Sequence, residues 1–123
     1  MYGAMLKSGM SFGVSWAEEG QGRMGGPPWQ FPERYVQNSP IFYFDKVQTP
    51  LLIIQGGLDI SPFQSDEIFI GLRRLGKKVL YVRYENEGHG IEHYANRIDY
   101  WNRILEWIAS HVHPEGQTKS ISR

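Results

Sequence analysis

The run Thr49-Pro50-Leu51-Leu52-Ile53-Ile54-Gln55 is apolar almost throughout, and it constrains the fold more than any other stretch of the chain. A strand with one wet face alternates in polarity; a continuous apolar run of this length, bounded by turn residues, reads as a strand covered on both faces. It stops at Gly56-Gly57, and Asp59 follows. From Gln64 to Leu75 the residues Ile68, Leu72 and Leu75 recur at helical spacing, and Gly76 stands where a helix-terminating glycine belongs. Val79-Leu80-Tyr81-Val82-Arg83-Tyr84 is a second strand, rich in β-branched and aromatic residues, with Glu87-Gly88-His89-Gly90 just beyond it. Strand, helix, strand is a crossover unit, so the two strands are expected to be parallel and to end on one sheet edge. Asp59 and His89 are thereby expected to face the same crevice.

Around this unit the chain reads as a single α/β segment in three parts. Residues 1–32 are loop-rich: glycine recurs at short intervals and Gly25-Gly26-Pro27-Pro28 forbids regular structure, although Trp16, Trp29 and Phe31 suit packing against a larger body. Residues 33–113 form the α/β core. At the boundary Pro32 to Val36 is a proline-started helical turn, Ser39-Pro40 breaks it, and Ile41 to Val47 leads into the first strand. Tyr94, Ile98, Trp101, Leu105 and Ile108 then recur every three or four residues, predicting an amphipathic helix from about Glu92 to His111 with this stripe in the core. Pro114 ends it, and residues 114–123 read as a mobile tail.

Charge and composition exclude several functions. Thirteen basic and thirteen acidic residues give a net charge of zero, which leaves no electrostatic footprint for nucleic acid or an anionic membrane. There is no cysteine, hence no disulfide, thiolate nucleophile or cysteine zinc site. No apolar run approaches the roughly 20 residues that span a bilayer, and the N-terminus lacks the pattern of a signal peptide. A cytoplasmic protein is expected.

An acid after one parallel strand and a histidine after the next suit a carboxylate that holds an imidazole Nδ1–H and leaves Nε2 free as a base. Spacing alone fits equally well a helix-capping Asp59 and a loop histidine at His89. A second pattern overlaps the first: His89-Gly90-Ile91-Glu92-His93 fits the H-x-x-E-H of certain zinc peptidases. That chemistry needs both histidines on one helical face, which Gly88 and Gly90 oppose. Gly20-Gln21-Gly22-Arg23-Met24-Gly25 is a literal G-x-G-x-x-G, but Pro27-Pro28 prevents the helix on which dinucleotide binding depends.

The pair and its flanks resemble a known family. Ser39-Pro40-Ile41, the run from Thr49-Pro50-Leu51 through Gln55-Gly56-Gly57-Leu58-Asp59, Leu72-Arg73-Arg74-Leu75-Gly76-Lys77-Lys78-Val79 and Glu87-Gly88-His89-Gly90 are similar, in order and spacing, to the C-terminal part of the prolyl oligopeptidase family of serine peptidases. With Gly25-Gly26-Pro27-Pro28-Trp29 the resemblance covers roughly residues 25–112. It implies the last parallel strands and helix of an α/β-hydrolase domain, and peptide hydrolysis through a Ser-Asp-His triad. Asp59 would be the triad acid and His89 the base. It also implies a short-peptide substrate, no metal or organic cofactor, and the remainder of the hydrolase domain as structural partner. Two departures stand out: Gln55 replaces the family's usual histidine, and Ile60-Ser61 replaces a polar pair after the acid, which puts substrate contacts near Ser61 in question.

The nucleophile does not fit so well. Gly9-Met10-Ser11-Phe12-Gly13 matches G-x-S-x-G, and the order Ser, Asp, His is that of α/β-hydrolases. The nucleophile elbow, however, needs a buried strand before the serine and a helix after it. Gly3 to Ser8 is short and not β-branched, Glu18 to Pro28 is rich in glycine and proline, and too little chain separates Ser11 from Asp59 for an intervening core strand. Ser11 is the candidate within the chain, but the expectation is that the nucleophile and oxyanion hole lie in sequence before Met1. The chain alone would then be an inactive truncated fragment or a module completed by a partner.

Overall fold

The two strands pair as their patterns require. In the computed structural model, which describes residues 12–112, the order is α1 (Phe12–Glu18), α2 (Pro32–Gln37), a 3₁₀ helix (Pro40–Lys46), β1 (Leu51–Gly56), α3 (Pro62–Arg74), β2 (Val79–Tyr84) and α4 (Tyr94–His111). β1 and β2 form a parallel sheet in which Leu51 lies opposite Val79 and Gly56 opposite Tyr84.

Alternation along the strands divides the sheet into two faces. On one, Ile53, Gln55, Tyr81 and Arg83 meet α3: the Tyr81 ring centroid lies 5.5 Å from that of Phe69, its hydroxyl donates to Asp66 Oδ1 at 2.8 Å, and Arg83 pairs with Asp66 at 3.8 Å. On the other, the Tyr84 hydroxyl donates to Asp99 Oδ2 of α4 at 2.6 Å, and Arg103 Nε donates to the same oxygen at 2.6 Å. Burial and the carboxylate partner push both tyrosines up to about 12, so each hydroxyl remains a donor at neutral pH. The apolar core of the described residues is small: Leu72, Ile53, Phe44 and Ala17. Phe44 comes from the 3₁₀ helix, whose carbonyl at Asp45 also accepts from Lys77 Nζ at 2.8 Å.

The helix stop read at Gly76 is a Schellman turn. Lys77 N–H donates to Leu72 O at 2.9 Å and Gly76 N–H to Arg73 O at 3.0 Å, with Gly76 at φ 68°. That turn delivers the chain from α3 into β2 in register.

Two features differ from the sequence expectation. Residues 1–32 are not wholly loop: Phe12–Glu18 is a helix. It lasts until Ser15 O accepts from both Glu19 and Gly20, and the glycine-rich loop then folds back, with Met24 N–H on Ala17 O and Gly25 N–H on Glu18 O. Arg34 Nη1 and the Tyr35 hydroxyl of α2 donate to Met24 O and Gly26 O and hold that loop. The second concerns α4. Tyr94, Ile98, Trp101, Leu105 and Ile108 were expected in the core, yet all are exposed, and α4 has no buried residue. Its partly covered stripe is Asn96, Asp99, Tyr100, Ile104, Trp107 and His111. The physical reason is polar. Asp99 and Asn96 are hydrogen-bonded to the sheet end of the molecule, which sets the rotation of the helix and turns its apolar stripe outward. The tail expected at 114–123 lies outside the described residues.

Gly76→Ala is expected to destabilise the chain by about 1 kcal/mol, because alanine strains at positive φ; urea denaturation followed by circular dichroism measures it. The outward stripe predicts self-association, seen as a mass by light scattering that rises with concentration. Trp101→Glu with Leu105→Glu should lower that mass at unchanged helicity, and an unaltered mass would place the sticky surface elsewhere.

Candidate active site

The shared register brings the loops after β1 and β2 side by side, and main-chain bonds fasten them together. Gly57 N–H donates to Tyr84 O at 2.8 Å and Leu58 N–H to Glu87 O at 2.9 Å. Gly56 makes this approach possible: a Cβ there would run into the carbonyls of Gly88 and Glu87. Asp59 and His89 emerge from these loops in contact, with His89 Nδ1 at 3.1 Å from Asp59 Oδ1 and 3.3 Å from Oδ2. The side chains differ sharply in setting, since that of His89 is 91% exposed and that of Asp59 17%.

Asp59 is held on three sides. Ile60 N–H donates to Oδ1 at 2.7 Å, Gln55 Nε2 to Oδ2 at 3.0 Å, and His89 completes the set. Partial burial pushes its carboxyl up, but these hydrogen bonds and the attraction of the His89 ring prevail and hold it below the ordinary range. An ionised carboxylate against Nδ1 favours the tautomer with the proton on Nδ1, which leaves Nε2 as the basic nitrogen. Gln55 is itself anchored: it is buried, donates also to Gly56 O at 3.0 Å, and accepts from the Ser65 hydroxyl of α3 at 2.6 Å. The departure at Gln55 thus supplies a neutral donor to the acid.

His93 goes elsewhere. Its Nδ1 lies 2.9 Å from Glu87 Oε1, and α4 begins only at Tyr94, so His89 and His93 do not share the helical face that the H-x-x-E-H pattern requires. No group of three or more metal-ligating side chains occurs among the described residues. Ser11 lies outside them. The helix at Phe12–Glu18 directly follows it, which corrects the expectation of an irregular downstream flank. Among the described residues no serine hydroxyl is hydrogen-bonded to His89.

Two open cavities flank the pair, both lined by Gln55, Asp59 and His89. One, of about 730 Å³, continues along Ile91, Arg97 and Trp101 of the α4 side; the other, of about 430 Å³, continues along Trp16, Ile60, Ser61 and Ile68. The Ser61 hydroxyl on the second is buried and has no hydrogen-bond partner among the described residues.

Missed by the sequence reasoning are the supports: Ser65 behind Gln55, and Glu87, whose carboxylate is almost fully buried. Hydrogen bonds from Glu92, Asn96 and His93 overcome the cost of that burial and hold Glu87 far below its ordinary 4.5, at about 2. In the run Glu87-Gly88-His89-Gly90, only its place two residues before His89 could have drawn attention to it.

Parallel strands followed at one edge by a carboxylate and a histidine in contact, with helices against the sheet, fit part of an α/β-hydrolase fold. The model of the prolyl oligopeptidase family matches residues 5–115, and the chain belongs to that family. It is 35% identical over 85 residues to a protein of Bacillus subtilis (strain 168) called uncharacterized peptidase YuxL, covering 65% of this chain and 13% of that protein. Dipeptidyl peptidase family member 6 of Caenorhabditis elegans is 34% identical over 72 residues, covering 57% of this chain and 10% of its own length. Among solved structures, acylaminoacyl peptidase of Pyrococcus horikoshii superposes with a TM-score of 0.74 at 24% identity, covering 94% of this chain and 19% of that one. A puromycin-hydrolyzing peptidase of Mycobacterium tuberculosis gives 0.68 at 25% identity, covering 80% and 16%. The chain therefore spans a small part of each of these relatives. No helix among the described residues is long and apolar enough to cross a membrane.

Asp59 and Glu87 both sit low, and the sign of the pH effect follows. A carboxylate whose pKa is depressed by folding stabilises the folded chain above its ordinary pKa, and that contribution is lost as the pH falls through the folded value. For Glu87 the window runs from 4.5 down to about 2. The urea midpoint is expected to fall across this window and Glu87→Gln to flatten the fall; an acid limb of the same slope in the variant would assign the loss to other groups.

Proposed function

We propose that this chain supplies the acid and the base of a Ser-Asp-His peptidase, with the nucleophilic serine contributed from outside residues 12–112. The observation that carries it is the contact between the low-lying Asp59 carboxylate and Nδ1 of His89. In the reaction, a serine hydroxyl placed at His89 Nε2 gives up its proton as its oxygen attacks the peptide carbonyl. The imidazolium so formed is stabilised by Asp59, which stays ionised. His89 then returns the proton to the leaving amine, and water, deprotonated by the same nitrogen, releases the acid from the acyl-enzyme. The cavities beside the pair have the size to receive residues of a short peptide. The remainder of a hydrolase domain is the partner this reading calls for, since a two-stranded sheet and the open stripe of α4 leave apolar surface uncovered.

The isolated 123-residue chain is expected to hydrolyse peptide p-nitroanilides negligibly. Imidazole ¹⁵N spectra are expected to show His89 as the Nδ1–H tautomer, with Asp59→Asn abolishing that preference. Robust turnover abolished by Ser11→Ala would move the nucleophile into the chain. A His89 tautomer indifferent to Asp59→Asn would remove the basis of the peptidase reading.

A further inference from the structure

Glu87 is the one charged side chain that is buried among the described residues, at 1% exposure, and the triad chemistry does not use it. A carboxylate is retained in such a place only where donors replace its water. Here there are four. Oε2 accepts from Glu92 N–H at 2.8 Å; Oε1 accepts from His93 N–H at 3.1 Å, from His93 Nδ1 at 2.9 Å and from Asn96 Nδ2 at 2.6 Å. The main chain of the same residue is engaged as well, its N–H donating to Tyr84 O at 3.1 Å and its carbonyl accepting from Leu58 N–H at 2.9 Å.

These bonds enclose a particular stretch. Gly88-His89-Gly90-Ile91 lies between Glu87 and the two N–H groups its carboxylate holds, so the side chain closes a short loop with His89 inside it. Both neighbours of His89 are glycines, which leave the backbone more conformational freedom than any other residue, and the imidazole is almost wholly exposed. Nothing within the loop itself orders it. Contact with Asp59 is a single hydrogen-bonded side chain, and a side chain on a free glycine-flanked loop loses backbone as well as rotamer entropy in making it. Glu87 removes the first part of that cost in advance: one end of the loop is tied through Leu58 to the segment carrying Asp59, the other to the first turn of α4.

We infer that Glu87 is the positioning residue of His89, its carboxylate closing the Gly88–Ile91 loop onto the start of α4 so that the imidazole is presented to Asp59. This rests on the peptidase reading, in which His89 is the base. Glu87 acts through His89 and touches neither substrate nor the reacting atoms. The geometry also says why a carboxylate serves best: the Glu92 and His93 N–H groups and Asn96 Nδ2 can only donate, and His93 Nδ1 donates when it carries the proton, so a carboxamide facing the N–H groups would set a donor against a donor.

The test uses the whole 123-residue chain, with Glu87→Gln and, since that variant leaves buried donors opposed and risks unfolding, Asn96→Ala, which removes only one side-chain donor at the edge of the cluster. ¹⁵N relaxation, amide exchange and imidazole ¹⁵N spectra are recorded on folded protein. In Glu87→Gln, order parameters over Gly88–Ile91 are expected to drop from about 0.85 to below about 0.6. Amide protection at Glu92 and His93 should fall at least about tenfold, as for an amide whose acceptor is lost, and His89 should no longer hold the Nδ1–H tautomer. Asn96→Ala should produce a smaller change in the same three readouts, and it decides the matter alone if Glu87→Gln does not fold. A merely structural Glu87 would lower the urea midpoint while folded molecules kept an ordered loop and the wild-type His89 tautomer, and that result overturns the proposal. If wild-type His89 lacks the Nδ1–H tautomer, the peptidase reading fails and the proposal with it; if wild type has it and both variants keep it, the proposal fails alone.

Discussion

The six-residue parallel register between β1 and β2 is the constraint on which everything else depends. Because Gly56 is opposite Tyr84, the loops that follow leave the sheet at the same height and on the same edge. Asp59, three residues beyond one strand, and His89, five beyond the other, then need only short turns to meet. A slip of one residue would turn every side chain to the other face. Ile53 and Gln55 would leave α3, and the Tyr81 and Tyr84 hydroxyls would exchange helices. The polar bonds of those two tyrosines, one to each side of the sheet, penalise that slip in addition to the apolar burial. Specificity of register here is shared between packing and hydrogen bonds.

Strands, crossover helix and the Asp-His pair were legible in the residues because each rests on a local cause. A short continuous apolar run bounded by turn residues reads as a strand, although Leu51 is exposed and Leu52 and Ile54 are only partly covered among the described residues; Gly76 can end a helix at positive φ, and parallel connection forces both C-terminal ends to one edge. What was not legible depends on partners distant in sequence. Phe12–Glu18 is a seven-residue helix too short to declare itself by periodicity, and its last carbonyls are satisfied by the glycine loop that suggested irregularity. The stripe Tyr94-Ile98-Trp101-Leu105-Ile108 was read correctly as one apolar face of a helix, but periodicity says which face is apolar and not what covers it. Hydrogen bonds of Asn96 and Asp99 decide the rotation instead.

The candidate site divides the same way. The placement of Asp59 and His89 follows from topology and residue type, whereas their supports do not. Gln55 was noted only as a departure from the family pattern, yet its carboxamide bridges the Ser65 hydroxyl and the Asp59 carboxylate. Glu87 stands in the run that ends at His89, but its role carries no signature of its own, since half of its donors are backbone N–H groups whose availability depends on where α4 starts. The result is a site in which both members of the pair are held by buried polar groups: Asp59 by Gln55 from beneath, and the His89 loop by Glu87 from behind.

Gly56 carries one more consequence. Its missing side chain lets the carbonyls of Glu87 and Gly88 lie directly against the end of β1, so the two loops share one packed contour of backbone. Redesign of one loop alone would have to respect the contour of the other, and an engineer altering reach or selectivity at this edge should treat residues 56–60 and 84–89 as one exchangeable cassette.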